Sequence, residues 1–164
     1  MVSILFSVLG CRNNKIYKKD NSDIYPKENF SVVEATFNGK PEIGSFNMAY
    51  KNFRDKANFP WCLNLHIELD SKNLYANGLP LPDETKIANK LEDELIFEIR
   101  SITTAHFIGH LFNDSFLDIY FYLDKPEKVH EYLQIKKDKK DLCRGIGYEI
   151  VKDSNWDIVQ KFIK

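Results

Sequence analysis

Residues 61–69 read Trp61-Cys62-Leu63-Asn64-Leu65-His66-Ile67-Glu68-Leu69. Trp61, Leu63, Leu65, Ile67 and Leu69 fall on one face, with Cys62, Asn64, His66 and Glu68 on the other. Period-two alternation marks a strand with one buried face and one face nearer water. It favours an antiparallel sheet, because strands covered on both sides read as continuous apolar runs. Asn77-Gly78-Leu79-Pro80-Leu81-Pro82 then breaks the chain with turn-forming residues. Asp83 follows as an N-cap candidate, with Glu84 where the helix dipole favours negative charge. Beyond it Ala88, Leu91, Leu95, Ile99 and Ile102 step by three or four residues and form one helical stripe. A helix lying on an antiparallel sheet is the expected core.

The neighbouring segments extend this unit. Phe30–Phe37 reads as a strand, Asn38-Gly39 as a hairpin turn, and Lys40–Tyr50 as the returning strand. After the helix, 105–112 and 116–123 form a second strand pair around Asn113-Asp114-Ser115. Asp124 is the cap candidate of a second helix, with Val129, Tyr132, Leu133 and Ile135 turned inward. Gly145–Val151 is the last strand, and Ser154 with Asp157 resembles a capping box for a short terminal helix. From Trp61 onward the order is strand, helix, strand, strand, helix, strand, the split pattern of a ferredoxin-like sandwich. The expected class is α+β: helices on one face of an antiparallel sheet, an N-terminal hairpin in front and a short helix behind. Where the hairpin joins the sheet stays open. In the ferredoxin-like order the last strand lies antiparallel beside the Trp61 strand. Cys62 and Cys143 then sit at opposite ends, roughly 25 Å apart, against the limit of about 7 Å between Cα atoms for a disulfide. No bridge is expected.

The 164 residues, 43% hydrophobic and 13% aromatic, suffice for one core. A net charge of −1 gives no field to steer nucleic acid, which is not an expected partner. Lys136-Lys137-Asp138-Lys139-Lys140 reads as a solvated helix end. The start is more informative. Met1 to Gly10 is apolar or small apart from its two serines, too short to span a bilayer. It ends in Val8-Leu9-Gly10-Cys11, which resembles a bacterial lipobox. The expected layout is a signal segment over 1–11, a polar tether over 12–29 and a single α+β domain over 30–164. Cys11 is the lipidation candidate, with the cell envelope as location and the membrane as partner. The layout departs from the usual signal in having no positively charged n-region and a short apolar run. If Cys11 is not processed, the chain is cytoplasmic.

Several pieces carry a resemblance to a known family. They are Pro60-Trp61, Asn77-Gly78-Leu79-Pro80 and Leu91-Glu92-Asp93-Glu94-Leu95, then Phe107-Ile108-Gly109, Ile119-Tyr120-Phe121-Tyr122, and Gly147-Tyr148-Glu149-Ile150 with Asp153 and Trp156. From about Asn29 onward the chain resembles the bacterial family catalogued as domain of unknown function 695. The resemblance implies no established activity and no catalytic motif. Some members resemble fusions to regulators of ribonuclease E, which implies regulation by binding a protein partner.

Candidate sites are sparse. His106 and His110, four apart on a strand, share a face but stand roughly 13 Å apart, too far for one zinc ion bound at about 2 Å per ligand. His66 belongs to the same polar class. Together with Tyr120, these histidines form the most plausible polar cluster for an enzyme of unrecognised type, the alternative to a binding domain. Glu92-Asp93-Glu94 and Glu98 read as a solvated acidic face, since consecutive helix positions splay by about 100°. Phe97 lies off the apolar stripe and is a candidate contact residue. Cys62 and Cys143 read as spectator thiols. No phosphate-binding, metalloprotease or C-x-x-C motif occurs, and no metal or cofactor is expected.

Overall fold

The computed structural model of the chain describes residues 24–139 and 142–164. Cys11, with the rest of the expected signal segment over 1–11 and most of the expected tether over 12–29, lies outside the described residues, as does Lys140. Strands β1 (Phe30–Phe37), β2 (Lys40–Asn47), β3 (Trp61–Glu68), β4 (Ala105–Asn113), β5 (Phe116–Leu123) and β6 (Ile146–Lys152) alternate with helices α1 (Pro82–Ile102) and α2 (Pro126–Lys139). A one-turn helix α3 (Asp157–Gln160) follows.

The strands form one sheet in the order β1-β2-β4-β5-β3-β6, with every pairing antiparallel. The last four strands of the chain, ordered β4-β5-β3-β6, carry the ferredoxin-like arrangement, and β6 lies beside β3 at the sheet edge with Ile67 opposite Ile146. Asn38 and Gly39, at φ 49° and 78°, make the tight turn of the front hairpin. That hairpin joins through β2 to the free edge of β4, with Ser45 opposite His110. No helix among the described residues is long and apolar enough to cross a membrane.

Two cores sandwich the sheet. On one face Leu63, Leu65 and Ile67 of β3 meet Leu91, Leu95 and Ile99 of α1 and Leu133 of α2, all buried. Each such side chain contributes roughly 1.5–3 kcal/mol by leaving water. Pro82 takes the first helical position of α1, where its fixed φ suits the helix, so Asp83 sits inside the first turn and is not the cap. Ile135, expected inward, is exposed.

The opposite face is not simply the watery one. Cys62, Tyr120 and Tyr122 are buried there beneath Tyr50, Trp156, Val159 and Phe162. The terminal segment thus packs across the sheet from α1 and α2. Asp153, rather than Ser154, caps it, accepting from the amides of Asp157 and Ile158 at 3.0 Å each. Trp156 precedes α3 in the left-handed region, at φ 65°, and its ring stacks on Tyr122 at 4.1 Å. Among the described residues, the end of this face around His66 and the outer strand β1 stay open.

One irregularity interrupts the alternation. Pairing of β4 with β5 passes from Phe107–Phe121 to Gly109–Tyr120, leaving Ile108 as an extra residue. This β-bulge turns the rest of β4 over. Phe107 and Phe112, an odd and an even position, consequently share the helix-side core. Gly109 is required at the bulge, because a Cβ there would come within 2.4 Å of the Ser45 carbonyl oxygen.

Candidate functional site

The bulge separates the residues that the sequence suggested as one cluster. His106 lies on the α3 side, fully buried among Tyr50, Phe53, Phe59 and Trp156. Its Nδ1 is 3.0 Å from the Tyr50 hydroxyl, while Nε2 is buried without a partner. Burial, helped by the nearby Arg100 charge, pushes its pKa down to about 4. Tyr120 is buried against Phe46 and Phe162, and burial raises its hydroxyl well above the ordinary range. His66 stands on the same face at its open end. Its Nδ1 is hydrogen-bonded to Asp118, which also accepts from Asn113 at 2.7 Å. The hydrogen bond to Asp118 raises the His66 pKa, against an opposing effect of burial. These two carboxylate contacts lie beside a hollow of about 520 Å³ that Glu68, Phe116 and Gly147 help to line.

His110 is on the other face. Its Nδ1 lies 2.8 Å from both carboxylate oxygens of Glu92, on α1. A carboxylate only accepts, so Nδ1 carries the proton, and the second ring nitrogen bonds no protein group among the described residues. Glu92 therefore departs from the expected solvated patch. It is buried, while Asp93 and Glu94, turned by about 100° each, remain exposed. Its signal in the sequence is its place four residues after Ala88, on the border of the apolar stripe. Glu98 also departs from the patch, bonding Tyr132 and Lys136 of α2.

The His110–Glu92 pair forms the base of a trough. The hairpin carries the sheet two strands beyond α1, and nothing in the described chain covers its helix-side residues. Val32 is 71% exposed and Ile43 is 39% exposed. These two and Ser45 form the floor, Thr85, Asn89 and Ile96 of α1 form a wall, and Tyr75, Leu79 and Pro80 close one end. The space consists of two adjoining hollows of about 420 and 290 Å³ that share Ser45, Asn89 and His110. Asn89 Oδ1 is buried with no hydrogen-bond partner. With Glu92 and Asp93 beside it, the wall presents acceptors and negative charge over an apolar floor. That chemistry suits an apolar ligand bearing donors or positive charge. Sequence reasoning missed the trough, because it depends on where the hairpin attaches.

The thiols lie apart from both hollows on the helix side. Cys62 is buried, and burial raises its pKa to about 12. Cys143 is exposed at the opposite end of the sheet, where Arg144 is engaged by Glu84 at 2.6 and 2.8 Å.

The fold is thus an α+β domain with a ferredoxin-like core, an edge hairpin and a capped second face. The chain belongs to a family of unknown function, DUF695, whose model matches residues 28–163. That span takes in both the front hairpin and α3, so the trough is built from the family's own domain. No curated protein and no solved structure matches the chain.

Proposed function

We propose that this chain is a binding domain without catalytic chemistry of its own, tethered to a membrane by lipid on Cys11, and that it takes a protein partner in the trough beside α1. The observation that carries the binding surface is the uncovered apolar floor, Val32 and Ile43, under a wall holding Asn89 Oδ1 and the Glu92–His110 pair. An amphipathic segment laid along α1 would extend the helical layer over the hairpin, in the manner of helix-in-groove recognition. Its apolar side would cover Val32 and Ile43, and a Lys or Arg would face Glu92 and Asp93.

The test is a photo-reactive amino acid placed at Val32 or Ile43, with a control at exposed Glu131 on α2, in cells that make the protein. A discrete adduct from the trough positions, absent from Glu131 and weakened by Glu92→Gln, is the expected result. No adduct at either trough position, or the same adducts from Glu131, overturns it. The tether is tested separately by labelling with a radioactive fatty acid. Label on the wild type and none on Cys11→Ser supports it; no label on the wild type, or equal label on Cys11→Ser, leaves the runner-up, a cytosolic regulator using the same trough.

A further inference from the structure

Helix α1 has a second ordered face, pointing away from the sheet. Asp83, Ile87, Lys90, Glu94, Phe97 and Ser101 follow one another at steps of four, three, four, three and four residues. This is the spacing of a two-helix seam, on the side opposite the buried Ala88–Ile99 stripe. Phe97 is 75% exposed and Ile87 is 37% exposed. A phenylalanine held that far into water on a rigid helix is the most exposed large apolar side chain among the described residues. Steps of four and three make the spacing symmetric about position 92, and the residue types match across that centre in two of the three pairs. Reflected about position 92, Ile87 exchanges with Phe97, Lys90 with Glu94 and Asp83 with Ser101. A two-fold axis crossing the helix at its middle performs that exchange between two copies laid antiparallel.

We propose that α1 pairs antiparallel with α1 of a second copy of this chain. Ile87 of one protomer packs on Phe97 of its partner, twice, on either side of the axis. Lys90 of each lies opposite Glu94 of the other, so four of the six seam charges are paired with opposite sign, and Asp83 of each copy faces the neutral Ser101. The seam gives up little that the monomer holds, because Lys90 and Glu94 are only 4.0 Å apart within one helix and both are exposed. The trough lies on the flank of α1, through Thr85, Asn89 and Ile96, and remains open in the pair. The dimer would present two troughs, and two linked sites raise the avidity for a repeated partner. The pairing itself does not depend on what the trough binds.

The experiment is sedimentation equilibrium on the full chain carrying Cys11→Ser, with circular dichroism on each variant to establish folding. The expected result is a concentration-dependent dimer that Phe97→Ala weakens at least tenfold. Lys90→Glu alone sets a new carboxylate against Glu94 across the seam, and Glu94→Lys alone sets a new ammonium against Lys90. Each variant should therefore dimerise poorly. An equimolar mixture of the two should regain the wild-type dimer, because every cross-pair is then of opposite charge. A repulsion acting within one helix is not relieved by mixing, so rescue is specific to a contact between the α1 seams of two copies. A monomer at all concentrations, single variants that dimerise like wild type, or a mixture that stays monomeric would each overturn the proposal.

Discussion

His106 and His110 stand four residues apart on β4 yet face opposite sides of the sheet, one enclosed by Tyr50, Phe59 and Trp156, the other bonded to Glu92 of α1. The extra residue at Ile108 divides them. A dry, aromatic environment and a carboxylate-lined trough are thereby built from one strand.

His106 predicts acid lability. Its pKa is about 4 when folded, against about 6.5 in an unfolded chain. The unfolded state therefore binds more protons between those values, and stability rises with pH across the window. The contribution is complete above pH 6.5 and is lost as pH falls toward 4, on the order of 2 kcal/mol. Thermal melts from pH 7 to pH 4 should show that loss, and His106→Gln should flatten it. Equal pH slopes in the two proteins would sink the assignment.

His66 should act in the opposite sense. Its hydrogen bond with Asp118 raises its pKa above the unfolded value. Its stabilising contribution is present at low pH and disappears as pH rises through the folded value. Imidazole proton NMR should place its midpoint above that of an unstructured peptide, and Asp118→Asn should bring it down. A midpoint unchanged by that substitution would mean the contact does not hold in solution.

The period-two pattern of β3 exposed the fold because it specifies face and pairing together, and Asn38-Gly39 announced the hairpin. What it concealed follows from non-local geometry. Both faces of the second half of β5 are buried, and the run Ile119-Tyr120-Phe121-Tyr122-Leu123 is continuous and apolar for that reason. That signal was available and pointed to a second core. The bulge had no marker except Gly109, and an isolated glycine in a strand has several uses. The trough depends on β2 choosing the edge of β4 over that of β6, a choice set by the whole surface of both edges.

The register of β3 with β6 keeps the cysteines apart, with Cys62 opposite Val151 and Cys143 before the other end of β6. Thiol-reactive labelling should modify Cys143 rapidly in the native protein. Cys62, buried and with its pKa raised to about 12, should react only on unfolding. Migration should be the same with and without reductant. Simultaneous labelling of both thiols in the native state would contradict the second core.

Asp153 ties three elements together. It accepts from Tyr122 of β5 at 2.5 Å and from the first amides of α3, all close to the β6 end. Burial alone would raise its pKa, but these hydrogen bonds hold it below the ordinary carboxylate value. Asp153→Ala should cost about 1–2 kcal/mol, as for loss of a helix cap, and should alter the near-ultraviolet dichroism of Trp156. Ser154→Ala should do neither, since Ser154 is exposed and makes no cap. A Ser154→Ala effect as large as that of Asp153→Ala would reassign the cap.

Gly109 tests whether the bulge supports the trough. A methyl group there would meet the Ser45 carbonyl oxygen at 2.4 Å and the Phe46 Cα at 2.8 Å, both backbone atoms that no rotamer change can clear. Gly109→Ala must therefore push β2 away from β4, at a cost of roughly 2–4 kcal/mol for the misfit. The displacement would carry Ser45 and Val32 away from His110, since the three lie on one cross-strand row. Gly147→Ala is the control, because a Cβ there finds no atom within 4 Å. Chemical denaturation should separate the two variants, and amide exchange should show early opening along β1 and β2 in Gly109→Ala alone. The ferredoxin-like strands make their own pairings and should stay protected. Exchange that rises uniformly over the sheet would mean that the hairpin and the core unfold as one unit, and that the trough cannot be loosened without losing the domain.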